Sequence, residues 1–147
     1  MGELLKQSVE GDKHTADFEG HTIDVFKLIN LAESLEVEDV ELDGLQDCID
    51  NNKNWHDKNG NWLGAREIVD EAKKYNGNLD KVIANHPEWQ DEIEKIKQAD
   101  YQTHPLLFIG DNIIDGMHRL TKAWIDGAGV IRVKRFKELP EKAIIPK

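Results

Sequence analysis

Five consecutive residues, Asp115-Gly116-Met117-His118-Arg119, place a carboxylate, a glycine, an imidazole and a guanidinium in one short stretch. Apolar "PLLFI" comes shortly before it, and the helical pattern "RLTKAWIDGAG" follows. A strand-to-helix corner of this make-up suits anion chemistry. The first N–H groups of a helix have no intrahelical acceptor and, with the helix dipole, attract negative charge. Gly116 allows close approach to the backbone and a positive φ. Arg119 can grip a phosphate with two hydrogen bonds. His118 can donate a hydrogen bond or move a proton near neutral pH. Asp115 can take a proton from a hydroxyl or hold a metal ion. The competing reading is structural: Asp115 as the helix N-cap, with His118 and Arg119 paired to nearby carboxylates.

The flanking sequence supplies the elements that would position such a corner. "HPLLFIGDNIIDG" reads as strand, tight turn at 110–112 and second strand, followed by a helix over 116–126 stopped at Gly127. Leu120, Ala123 and Trp124 are expected to face the sheet. "GVIRVKRF" alternates as a half-buried strand. Near the start, residues 15–28 read as two short strands around Glu19-Gly20, with Ile23, Val25 and Leu28 apolar. From Val37, the positions Val37, Val40, Leu45, Cys48 and Ile49 have roughly helical spacing. Residues 51–64 are a loop with a hairpin signal at Asn59-Gly60. "AREIVDEAKKY", "NLDKVIAN" and "HPEWQDEIEKIKQA" then read as helices. The expectation is an α+β chain: a single domain over 1–147 built on a small mixed sheet, with a helical insertion at about 42–102.

Composition bounds the partners. The 147-residue chain is 39 % hydrophobic and 33 % charged and has no apolar run long enough to span a bilayer. Its start lacks signal-peptide character, and Gly2 is not followed by Ser or Thr at position 6, where Lys6 stands. One cysteine, Cys48, fits a reducing cytoplasm. The net charge of −10 argues against direct DNA binding, which depends on phosphate contacts. Residues 104–147 hold eight basic and five acidic residues, so the corner lies in the basic third of an acidic chain. That distribution favours a small anionic ligand over a polyanion.

The stretch "HPLLFIGDNIIDGMHRLTKAW" resembles the core motif of the ParB/sulfiredoxin-like superfamily. Pro105, Ile113, Ile114, Asp115, Gly116, His118, Arg119 and Ala123 carry the likeness, and "HTIDVFKL" resembles the family's first strand. The likeness covers about residues 20–40 and 104–136. Sulfiredoxins have a cysteine where this chain has Met117, so cysteine-sulfinic reduction is not expected. ParB proteins add a helix-turn-helix domain for which no room follows the fold. The free-serine kinases of archaea carry Asp-Gly-His-His-Arg, and this chain differs only at Met117.

That resemblance implies a nucleotide (ATP, ADP or CTP) bound with magnesium, and phosphoryl transfer to an unknown small-molecule acceptor or hydrolysis. Gly116, Met117, His118 and Arg119 would hold the phosphates. Asp115 and His118 would serve catalysis, with Glu33 or Glu36 in "LAESLEVED" orienting the acceptor. A non-catalytic nucleotide-dependent binding module and a ParB-like nuclease are the alternatives, and the acidic insertion is a candidate surface for a protein partner. His14, His21, His56, His86, His104 and Cys48 lack zinc-ligand spacing. Trp55, Trp62 and Trp89 suit either a platform for a base or the packing of a small helical subdomain.

Overall fold

Leu106–Ile109 is apolar at every position because it becomes a strand covered on both faces. A computed structural model describes residues 15–53 and 55–146 of the chain. The readings at Gly2, Lys6 and His14 lie outside those residues. Among the described residues the strands are β1 Thr15–Phe18, β2 His21–Asp24, β3 Glu38–Glu41, β4 Trp55–His56, β5 Trp62–Leu63, β6 Leu106–Ile109, β7 Asn112–Asp115 and β8 Val130–Phe136. The α-helices are α1 Val25–Leu31, α2 Gln46–Asn51, α3 Ala65–Lys74, α4 Leu79–Asn85, α5 Gln90–Gln98 and α6 Met117–Asp126. The chain is thus a mixed α+β protein.

The main sheet has the order β3-β8-β6-β7. β8 runs antiparallel to β3 and parallel to β6, and β6 runs antiparallel to β7. Side chains on a strand alternate between faces. Leu106 and Phe108 therefore join Leu120, Ala123, Ile131 and Val133 in the larger core, to which the insertion contributes Ile49, Trp55, Ile68, Val82, Ile93 and Ile96. Leu107 and Ile109 meet Ile23, Leu28, Ala32 and Ala143 on the other face. Two further hairpins, β1–β2 and β4–β5, stand apart from this sheet. The tail returns to β2 through a bridge between Ile23 and Ile144 and a hydrogen bond from Ile145 N to Thr22 O.

Three local expectations change. Val25 and Leu28 belong to helix α1, not to the second strand, because Asp24 ends β2 and its side chain accepts from Lys27 N at 3.1 Å as the N-cap. Val37 and Val40 are not helical: Val40 lies in β3 opposite Ile131, and the helix begins only at Gln46 after a 3-10 turn over Leu42–Leu45. Trp124 is half-buried towards α3, with the Arg66 guanidinium 5.6 Å from its ring centre. The Asn59-Gly60 hairpin forms as expected, and Asn78 caps α4.

Candidate functional site

β7 delivers Asp115 to the sheet edge, and α6 starts two residues later. Gly116 is the N-cap, at φ +111°, and its carbonyl accepts the first helical hydrogen bond from Leu120 N at 2.9 Å. Asp115 is therefore not the N-cap. Its carboxylate turns under the corner, where Oδ2 accepts from Arg119 Nη2 at 2.8 Å, both side chains being 6 % exposed. Gly116 is required twice over. Its φ lies in the region L residues avoid, and a Cβ there would stand 2.7 Å from Leu106 Cδ2 and 2.8 Å from Arg119 Nη2. Arg119 is thus a buried brace inside the corner.

The corner opens onto a cleft of about 1170 Å³. Asp115, Met117 and His118 line it from the motif side. The insertion forms the opposite wall with Asn52, Trp55, His56, Trp62, Glu92 and Lys95. His118 is the hinge between the two walls. Its ring stacks on Trp55 with centroids 4.4 Å apart and planes 8° from parallel. Its Nε2 lies 3.5 Å from Glu92 Oε2, and both side chains are almost fully buried. Burial would raise the Glu92 carboxyl, but the adjoining imidazole and Lys95, 3.7 Å away, outweigh it and hold the group below the usual glutamate range.

Asp115, Met117 and His118 line one cleft. Gly116 and Arg119 shape the corner from behind. Glu33 and Glu36 are exposed and do not line this cleft. A carboxylate beside the imidazole is Glu92, which nothing in the sequence pattern singled out, because the contact depends on how α5 packs on α6. Cys48, distant from the motif in sequence, also lines the cleft. Burial first, and Asp47 second, push its thiol up, so it is not a poised thiolate.

Among the described residues the lining carries five carboxylates, Asp17, Asp47, Glu92, Asp111 and Asp115, against one lysine, Lys95. Among the described residues no three His, Cys, Asp or Glu side chains converge as a metal site. Such a wall suits a magnesium ion that arrives with phosphates and takes only one or two protein carboxylates, the usual manner for that ion. A bare polyphosphate would be repelled. Among the described residues no helix is long and apolar enough to cross a membrane. No family model, curated protein or solved structure matches this chain.

Proposed function

We propose that the protein is a cytoplasmic ParB/sulfiredoxin-like nucleotide-binding protein that transfers or hydrolyses a terminal phosphoryl group with magnesium. The observation that carries this reading is the glycine-only corner: Gly116 at φ +111°, closed behind by Arg119, at the head of a helix whose Met117 and His118 face a large cleft. Backbone amides at such a helix start would receive the phosphates, with His118 adding a directed donor. Asp115, fixed by Arg119, and Asp111 would stand on the metal side. Glu92, beside His118, is better placed than Glu33 or Glu36 to tune proton transfer there. Magnesium would supply charge neutralisation, which an acidic wall requires before phosphates can enter.

Calorimetric titration of ATP, ADP and CTP, each with and without magnesium, tests binding. Phosphorus NMR over several hours tests turnover. H118Q is expected to weaken magnesium–nucleotide binding by more than about tenfold, the value of a charge-assisted hydrogen bond of about 1.5–3 kcal/mol. Unchanged affinity in H118Q, or no binding of any of the three nucleotides, refutes the assignment. A second reading, a nucleotide-dependent binding module without turnover, is favoured by the position of Glu33 and Glu36 outside the cleft. It predicts binding with no product.

A further inference from the structure

The insertion contributes more than packing. Trp62 is 67 % exposed, by far the most exposed large apolar side chain among the described residues, and it lines the cleft. It is not left out by looseness of its hairpin. Asp57 Oδ1 accepts from Asn59 N at 2.8 Å and from Asn61 N at 2.9 Å, which fixes the turn. Lys58 N donates to Glu88 O at 2.9 Å and Lys58 Nζ to Gln90 Oε1 at 3.2 Å, which tie the turn to the head of α5. Register divides the hairpin into two faces. Trp55 opposes Leu63 and both are buried, whereas His56 opposes Trp62 and both are exposed. On that outer face the His56 and Trp62 rings lie 4.0 Å apart at 37°. The free face of the Trp62 ring is therefore held in the open with the His56 ring against its other side, and His56 is one residue along the chain from the Trp55 ring that stacks on His118.

A polar group on the same wall points the same way. Asn52 is 7 % exposed and lines the cleft, and its buried Nδ2 has no acceptor among the described residues. A buried donor without an acceptor is costly and is rare unless something else satisfies it. A flat ring with nitrogen or carbonyl acceptors at its edge matches both features. Its face stacks and its edge accepts. An aliphatic ligand would cover the ring but accept no hydrogen bond, and a purely anionic one would accept but not stack.

Resting on the nucleotide reading above, we infer that the β4–β5 hairpin is a stacking subsite for a planar nitrogen heteroaromatic ring, such as a nucleobase, with Trp62 and His56 as its platform. The acidic lining repels free phosphate, so the ring supplies a large share of the affinity. The cleft then has two ends: a ring-binding end built by the insertion and a phosphate end built by the corner.

The test titrates adenosine, cytidine and magnesium pyrophosphate separately into the full chain and into W62A and W62F. Trp62 is largely in solvent, so W62A is expected to melt within a few degrees of the parent, and the melt is recorded alongside. Adenosine or cytidine should bind the parent, weaken by about tenfold or more in W62A and stay within about threefold in W62F, as base–aromatic stacking requires. Magnesium pyrophosphate should be indifferent to both substitutions. Nucleosides that bind W62A as tightly as the parent, or that fail to bind the parent at millimolar concentration, overturn the subsite. The two readings separate cleanly. Trp62-dependent nucleoside binding with no gain from added phosphates keeps the subsite and removes the phosphate corner. Magnesium pyrophosphate binding with Trp62-independent nucleotides does the reverse.

Discussion

Replacing Gly116 with alanine applies two separable stresses to the corner. The first is conformational: φ +111° with ψ 19° is a region where a non-glycine residue costs about 1–3 kcal/mol. The second is steric. The new methyl would stand 2.7 Å from Leu106 Cδ2 and 2.8 Å from Arg119 Nη2, and neither can retreat easily. Leu106 is fully buried in β6, and Arg119 is held by Asp115. Overpacking of a closed core costs about 1–3 kcal/mol more. The sum is about 2–6 kcal/mol, a large part of the stability of an ordinary domain. At about 2–4 °C per kcal/mol the melting temperature should fall by about 5–20 °C. Gly127 provides the control. It caps the other end of α6 at φ +71°, and a Cβ there meets nothing within 4 Å. G127A should show only the conformational cost, about 1–2 kcal/mol. Urea unfolding of both variants, followed by far-UV circular dichroism, reads the difference. If G116A and G127A agree within about 0.5 kcal/mol, the packing behind the corner yields, and the close fit described for Gly116 is wrong.

Three further outcomes follow from the same contacts. R119A should cost about 3–5 kcal/mol in urea unfolding by removing the guanidinium paired with a buried carboxylate, while D115L combined with R119M should recover part of that loss; an R119A protein of parental stability would show that the brace is unnecessary. Glu92 is held below the usual glutamate range, so the stability it contributes is present above the unfolded value of about 4.3 and fades as pH falls through the lower folded value. The stability gap between parent and E92Q should therefore be widest near neutral pH and close in acid, and a gap constant from pH 7 to pH 3 would dismiss the interaction with His118. D57A removes the carboxylate that accepts from Asn59 N and Asn61 N, so hydrogen exchange at those two amides should accelerate by about fivefold or more, equivalent to about 1 kcal/mol, with the melting temperature nearly unchanged.

The strand, turn, strand and helix around the corner were legible because their signals are local. A four-residue apolar run, Gly110, the start at Gly116 and the stop at Gly127 all act within their own elements. The same holds for the Asn59-Gly60 hairpin and for helices α3, α4 and α5. Val37 and Val40 misled because a spacing of three is shared by a helix and by an irregular approach to a short strand. Only pairing with the distant Ile131 decides between them. At α1 the capping signal of Asp24 was present but was masked by the alternation of Ile23 and Val25. The site divides in the same way. Asp115, Met117 and His118 could be named from one stretch. Trp55 could be named only as one of three tryptophans, and Glu92 and Asn52 not at all, because they reach His118 and its cleft only through packing of the insertion on α6. Arg119 was legible as a functional residue type but not as a buried one, since spacing does not reveal whether a guanidinium faces solvent or folds back on its own corner.

The strand order has a consequence for how the chain can be shortened. β8 lies between β3 and β6 and hydrogen-bonds to both, although it follows both in sequence. A chain cut before Val130 would keep the corner, the cleft residues and every helix of the insertion, yet expose two unpaired strand edges where the sheet should be continuous. Such edges recruit strands from other molecules. A fragment ending after α6 is therefore a poor choice for isolating the site: its expected fate is aggregation, and a synthetic peptide spanning residues 130–136 is the natural agent for restoring it.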